Sequence, residues 1–185
     1  MSIILIEKIC DLLWIYPLIL PSFIYYSNIC DLKYGIYLLF FYLNIDLIRE
    51  IYKKETIYIV HHLLGIVLIY YSLKINAFNK LYVITMLNTE ISTIFLNLRT
   101  KYPGNKIFDI LFYITFTYFR IYKYYTTFVN KDFLNYIFEI YNDDIFVITN
   151  IFLPIFLLGI MNLYWYCIIN HMVICLINNS IKKIN

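Results

Sequence analysis

Five ionisable side chains interrupt otherwise apolar stretches of this chain: Asp46, His61, His62, Glu90 and Arg120. Asn97 and Asn162 are neutral polar residues in similar surroundings. A carboxylate on one imidazole nitrogen fixes the tautomer and leaves the other nitrogen free to take a proton. Asp46 beside His61 or His62 could therefore orient a general base. Adjacent histidines lie about 100° apart on a helix, so at most one points squarely into a bundle. The plainer alternative is that one histidine is hydrogen-bonded packing and the other faces outward. A metal is not expected here, because adjacent histidines chelate poorly compared with the i, i+4 spacing of HExxH.

The elements that carry these residues are apolar throughout. Hydrophobic residues make up 62% of the 185, charged residues only 15%, and the mean hydropathy is +0.71. A soluble domain runs near roughly 45–50% apolar and about 25% charged, so a soluble fold is excluded. Disorder is excluded by the same apolar surface and the small net charge. A net charge of +3, scattered along the chain, is no nucleic-acid footprint. Ile, Asn, Tyr, Phe and Lys supply 101 of the residues, and Ala77 is the sole alanine. That bias fits an AT-rich coding sequence and makes individual Asn, Lys and Tyr positions weak evidence. Cys10, Cys30, Cys167 and Cys175 form no CxxC pair and are read as free thiols. No nucleophile elbow, phosphate loop or redox motif is present, and no cofactor is expected.

A spanning helix needs roughly 20 mostly apolar residues. Six stretches qualify: Ile9–Ser27, Tyr34–Ile51, Ile57–Leu73, Phe78–Leu98, Ile107–Val129 and Ile145–Ile169. The expected fold is all-α, a polytopic transmembrane helical bundle of about six spans. Residues 1–34 would be an uncleaved N-terminal anchor, 35–169 the main membrane domain and 170–185 a cytosolic tail. Polar breaks separate the spans at Asn28–Lys33, Arg49–Glu55 and Asn76–Lys80, with a Tyr102-Pro103-Gly104-Asn105 turn. Asn130–Asp144 is expected as the longest connection. Pro17, Pro21 and Pro154 are expected to kink their spans.

Lys and Arg fix the orientation. Nine fall on one face, including Arg49, Lys53, Arg99 and Lys182, and four on the other. The nine-charge face is read as cytosolic, which puts both termini there. Asp46 then sits about 8 Å from the cytosolic end of its span, and His61 and His62 about 6–8 Å above the start of theirs. The levels match. Glu90 and Arg120 both fall mid-span, where opposite charges tend to pair. They form either a structural ion pair or a lipid-headgroup site with Arg120 meeting phosphate or carboxylate. The Lys182-Lys183-Ile184-Asn185 ending resembles a dilysine retrieval signal for the endoplasmic reticulum; juxtamembrane lysines that fix topology read the same way.

Tyr42 to Asp46, followed by His61-His62-Leu63-Leu64-Gly65, resembles the tyrosine–aspartate helix and paired histidines of the TLC domain. That domain unites translocation-associated membrane proteins, ceramide synthases and a neuronal ceroid lipofuscinosis protein. Glu90 to Arg99, Tyr118-Phe119-Arg120-Ile121, and Leu158 to Tyr166 with Asn162 and Trp165, resemble later stretches of the family. The resemblance covers Gly35 to Ile169. It implies a bundle of at least six spans around a lipid-sized cavity, with Glu90, Asn97, Arg120, Asn162 and Trp165 as lipid-binding candidates and His61, His62 and Asp46 as catalytic ones.

Ceramide synthases resemble acyltransferases that join an acyl group from acyl-CoA to a sphingoid amine. His61 and His62 match the first half of their signature. Thr89 and Glu90 stand where histidine–aspartate is expected, and Thr93 where a second aspartate is expected. The pattern is closer to the small TLC-domain-containing proteins. The leading expectation is therefore a multi-pass protein that binds, senses or transports membrane lipids. Two alternatives are an N-acyltransferase with His61 or His62 as general base, and an early-secretory cargo or translocation partner.

Overall fold

The computed structural model describes residues 32–74, 80–141 and 144–182. The stretch Ile9–Ser27, with Cys10, Pro17 and Pro21, lies outside the described residues, as do Cys30 and Lys183. Among the described residues every regular element is a helix. These are α1 (Leu32–Lys53), α2 (Thr56–Lys74), α3 (Lys80–Thr89), α4 (Ile91–Lys101), α5 (Lys106–Thr115), a π-helical segment (Phe116–Lys123), α6 (Tyr124–Phe128), α7 (Lys131–Tyr141) and α8 (Ile145–Lys182).

Two stretches among the described residues are long and apolar enough to cross a membrane: Thr56–Lys74 and Ile145–Cys175. The other expected spans miss this criterion for local reasons. Helix α1 carries Lys33, Asp46, Arg49, Glu50 and Lys53. The stretch Phe78–Leu98 is divided at Glu90. There the amide of Glu90 bonds the Leu87 carbonyl at 3.1 Å and that of Thr93 bonds the Glu90 carbonyl at 3.0 Å, both i→i−3 contacts that tighten the turn. Thr89 and Ser92 also donate to backbone carbonyls at 2.6 and 2.9 Å, a habit that bends helices. The stretch Ile107–Val129 stays helical but changes winding between Thr115 and Tyr124.

The connections follow from their residues. Lys54 adopts φ 60° and reverses the chain between α1 and α2. Gly104 takes φ 85° in the Tyr102–Asn105 turn, where a side chain would be strained. Asn105 then caps α5 by accepting from the Ile107 amide at 3.0 Å. The expected long connection Asn130–Asp144 is instead mostly helix α7. Asn130 accepts from the Phe133 amide at 2.8 Å, and Phe133 and Ile137, one turn apart, are buried. Asp144 caps α8 by accepting from Phe146 and Val147. Helix α8 continues through Pro154, which denies the Asn150 carbonyl its usual amide partner. It also runs past Ile169 to Lys182, because no breaker follows Ile169. Its 38 residues amount to about 57 Å, well beyond a hydrocarbon core of about 30 Å.

Helix α2 packs against both α1 and α8. A β-carbon on Gly65 of α2 would come within 3.1 Å of Leu43 Cδ1 of α1, so the glycine lets the two helices meet closely. Three apolar clusters hold the bundle. One joins Leu68, Phe128, Phe133 and Ile155 at one end. A second joins Ile36, Leu39, Ile69 and Val83. The third, Phe112, Phe116 and Ile169, flanks the polar residues described next. Large apolar side chains such as Phe41, Ile110, Ile114, Phe156 and Ile160 face outward, as a lipid-facing surface requires.

Candidate functional site

Helix α1 presents Tyr42, Asp46, Glu50 and Lys53 along one face, at steps of three and four residues. Asp46 is 4% exposed and lies opposite α2, where His62 Nε2 sits 3.0 Å from Asp46 Oδ2. The other carboxylate oxygen, Oδ1, is 2.7 Å from Arg49 Nη2, a charge contact rather than an aligned hydrogen bond. Arg49 in turn donates from Nε to Glu50 at 2.9 Å. The carboxylate of Asp46 thus holds an imidazole on one side and a guanidinium on the other. His62 Nδ1 is buried and has no hydrogen-bond partner, as is His61 Nδ1.

The two histidines differ as their 100° separation requires. His62 turns to Asp46. His61 turns to α8, where its ring meets Trp165 edge-on at 5.1 Å between centroids. Trp165 also stacks with Tyr58 at 5.7 Å. Tyr58 is three residues before His61, one turn along α2, so these three rings form an aromatic wall.

The second polar group is centred on Arg120. Its Nε donates to Ser92 Oγ at 2.7 Å and its Nη2 to Thr93 Oγ1 at 2.9 Å. Thr93 Oγ1 passes the contact on, donating to Glu90 Oε2 at 3.0 Å. The direct approach of Arg120 Nη2 to Glu90 Oε1 is longer, 3.7 Å. The guanidinium carbon also stands 5.7 Å from the Phe116 ring centre. Both irregular stretches of the backbone meet here: Arg120 is on the π-helical segment and Glu90 is at the break between α3 and α4. A π turn holds more residues than an α turn, so it re-aims the side chains it carries. A buried charge without partners is costly, and the hydroxyls and the carboxylate together offset that cost for Arg120.

A cavity of about 420 Å³ joins the two groups. Asp46, His61, His62, Glu90, Asn97, Arg120 and Trp165 all line it. Asn162 does not; it is buried in α8, with Oδ1 lacking a partner. The floor is apolar, from Phe112, Phe116, Ile169 and Met172. Exposed Lys53, Glu55 and Thr100 mark the rim, so the cavity opens at the end of the bundle where α1 meets α2. Lining carboxylates (Asp46, Glu50, Glu55 and Glu90) match lining cations (Arg49, Lys53, Arg99 and Arg120). Arg99 is also clamped, its Nε 2.6 Å from Asp109 Oδ1 of α5. Among the described residues no three His, Cys, Asp or Glu side chains converge on one metal position.

Sequence reasoning missed Tyr58, Ser92 and Arg49 as parts of the site, and marked Thr93 only as a departure from a family signature. Their signal was helical spacing: Tyr58 is i−3 from His61, Arg49 is i+3 from Asp46, and Ser92 and Thr93 follow Glu90 within a turn. Hydroxyls are poor flags in a sequence because they are cheap to bury once bonded to the backbone.

The TLC domain family model matches residues 2–171, and the chain belongs to that family. It is also similar to a TLC domain-containing protein of Acanthamoeba polyphaga mimivirus, at 31% identity over 182 aligned positions, covering 83% of this chain and 87% of the relative. No solved structure matches it. Family membership and the two apolar helices make it a membrane protein.

Proposed function

We propose that the chain crosses the bilayer six times, with both termini cytosolic, and handles a membrane lipid by taking part of it into the cavity between α1, α2, α4 and α8. The observation that carries this reading is the cavity of about 420 Å³ with a polar wall sunk among outward-facing apolar helices. That volume falls within the roughly 300–1,000 Å³ of small-molecule sites and suits a head group or part of one chain. Glu90, Asn97 and Arg120 would meet the polar end of the lipid, and Trp165 its apolar part. The role is binding, sensing or transport that affects membrane composition. Leu96 lines the cavity, so Leu96→Trp would narrow it without removing either charged group. Native mass spectrometry of the purified chain should show a lipid retained by the parent and lost from Leu96→Trp. A parent that retains none would contradict the reading.

A second reading is favoured by the 3.0 Å approach of His62 to Asp46. It is an N-acyltransferase in which His62 takes the proton of a long-chain amine. The amine attacks the acyl-CoA thioester, the amide C–N bond forms, the C–S bond breaks and the CoA thiol leaves with a proton. Ceramide formation in membranes lacking their own ceramide synthases, from the parent but not from a His61→Ala/His62→Ala variant, would support it. No ceramide from a folded parent would count against it.

A further inference from the structure

Helix α8 carries a histidine and a cysteine close together outside the cavity lining. His171 and Cys175 are one helical turn apart, both exposed, in the end of α8 that lies beyond the roughly 20 residues from Ile145 needed to span a bilayer, and His171 Nε2 lies 3.7 Å from Cys175 Sγ. We propose that His171 and Cys175 form a surface site for a borderline transition-metal ion such as Zn(II) or Co(II), with Nε2 and Sγ as its two protein ligands.

The separation of the two atoms is the argument. A tetrahedral ion with a metal–sulfur bond of about 2.3 Å and a metal–nitrogen bond of about 2.0–2.1 Å spans the two donors at about 3.6 Å. The observed 3.7 Å therefore needs almost no side-chain movement, and the i, i+4 spacing on one helix fixes it in advance. The ion displaces the thiol proton to solvent, since the thiolate is the ligand. Two protein donors leave two tetrahedral positions to water. Cys167, also exposed, stands one turn before His171 on the same face, but it is Cys175 that approaches the imidazole. The adjacent pair His61 and His62 lacks this property: their side chains diverge to Asp46 and Trp165.

Cobalt titration of the reduced, detergent-purified full chain tests the site, because thiolate ligation gives a sulfur-to-cobalt charge-transfer band. The expected result is a saturable band that disappears in Cys175→Ser and in His171→Ala but persists in Cys167→Ser. The proposal is overturned by no band in the parent, by a band that survives Cys175→Ser, or by one unchanged in His171→Ala. All four proteins should elute as folded species of the same size. Lipid retention is read separately and should be unchanged in these variants, so failure here and failure of the cavity reading are distinguishable.

Discussion

Two carboxylates anchor the cavity, and their partners differ in kind. Asp46 meets a histidine and an arginine directly. Glu90 reaches Arg120 chiefly through the Thr93 hydroxyl, with the direct contact at 3.7 Å. Removing one member of a buried ion pair leaves an uncompensated charge and costs about 3–5 kcal/mol, whereas removing both is often near neutral. Glu90→Gln should therefore destabilise the chain by roughly 3 kcal/mol and Arg120→Met by a similar amount. The double variant should recover most of the loss. A thermal-unfolding cycle in detergent checks this; strictly additive losses would mean that the pair is not coupled.

At the scale of elements, the helices are placed by caps and buried turns as much as by hydropathy. Phe133 of α7 is 2% exposed and packs edge-on against Tyr82 and Phe128, at 4.7 and 5.3 Å between ring centres. Phe133→Ala should cost about 3–5 kcal/mol, while Asp132→Asn on the exposed side should stay within about 0.5 kcal/mol. Denaturation in matched detergent separates the two; similar losses would mean that α7 does not dock through Phe133. The same helix shows where sequence reading stops. Asp132 and Glu139 made Asn130–Asp144 read as a connection, while the cap at Asn130 and the i, i+4 pair Phe133 and Ile137 were the signal for a helix. By contrast, the Tyr102–Asn105 turn was legible because proline and glycine punctuate locally. The break at Glu90 and the π winding around Arg120 were not legible. They arise where Arg120 meets Ser92 and Thr93 across 27–28 residues of chain, and no local propensity encodes that meeting. That Asp46 lies level with His61 and His62 was legible from depth, because all three lie about one to two turns from the same connection; that His62 is the one that meets it was not.

At the scale of the whole molecule, the polar groups gather at one end of an apolar bundle. The opposite end is closed by Leu68, Tyr124, Phe128, Phe133, Ile137 and Ile155, and Tyr124 and Tyr125 tie α6 to the Ile155 and Gly159 carbonyls of α8 at 2.6 and 2.7 Å. A cavity closed at one end and open beside Lys53 and Glu55 would admit a ligand from one end only, and under the proposed topology that end faces the cytosol. In the proposed function a lipid enters it. The most direct measurement is photocrosslinking with a long-chain lipid bearing a photoreactive group, in membranes containing the chain, with the crosslinked residues mapped by mass spectrometry. Crosslinks should concentrate on Leu96, Trp165 and Ile169 and be lost in Leu96→Trp. Crosslinks spread evenly over outward-facing Ile114, Phe156 and Ile160, with none in the cavity, would contradict it.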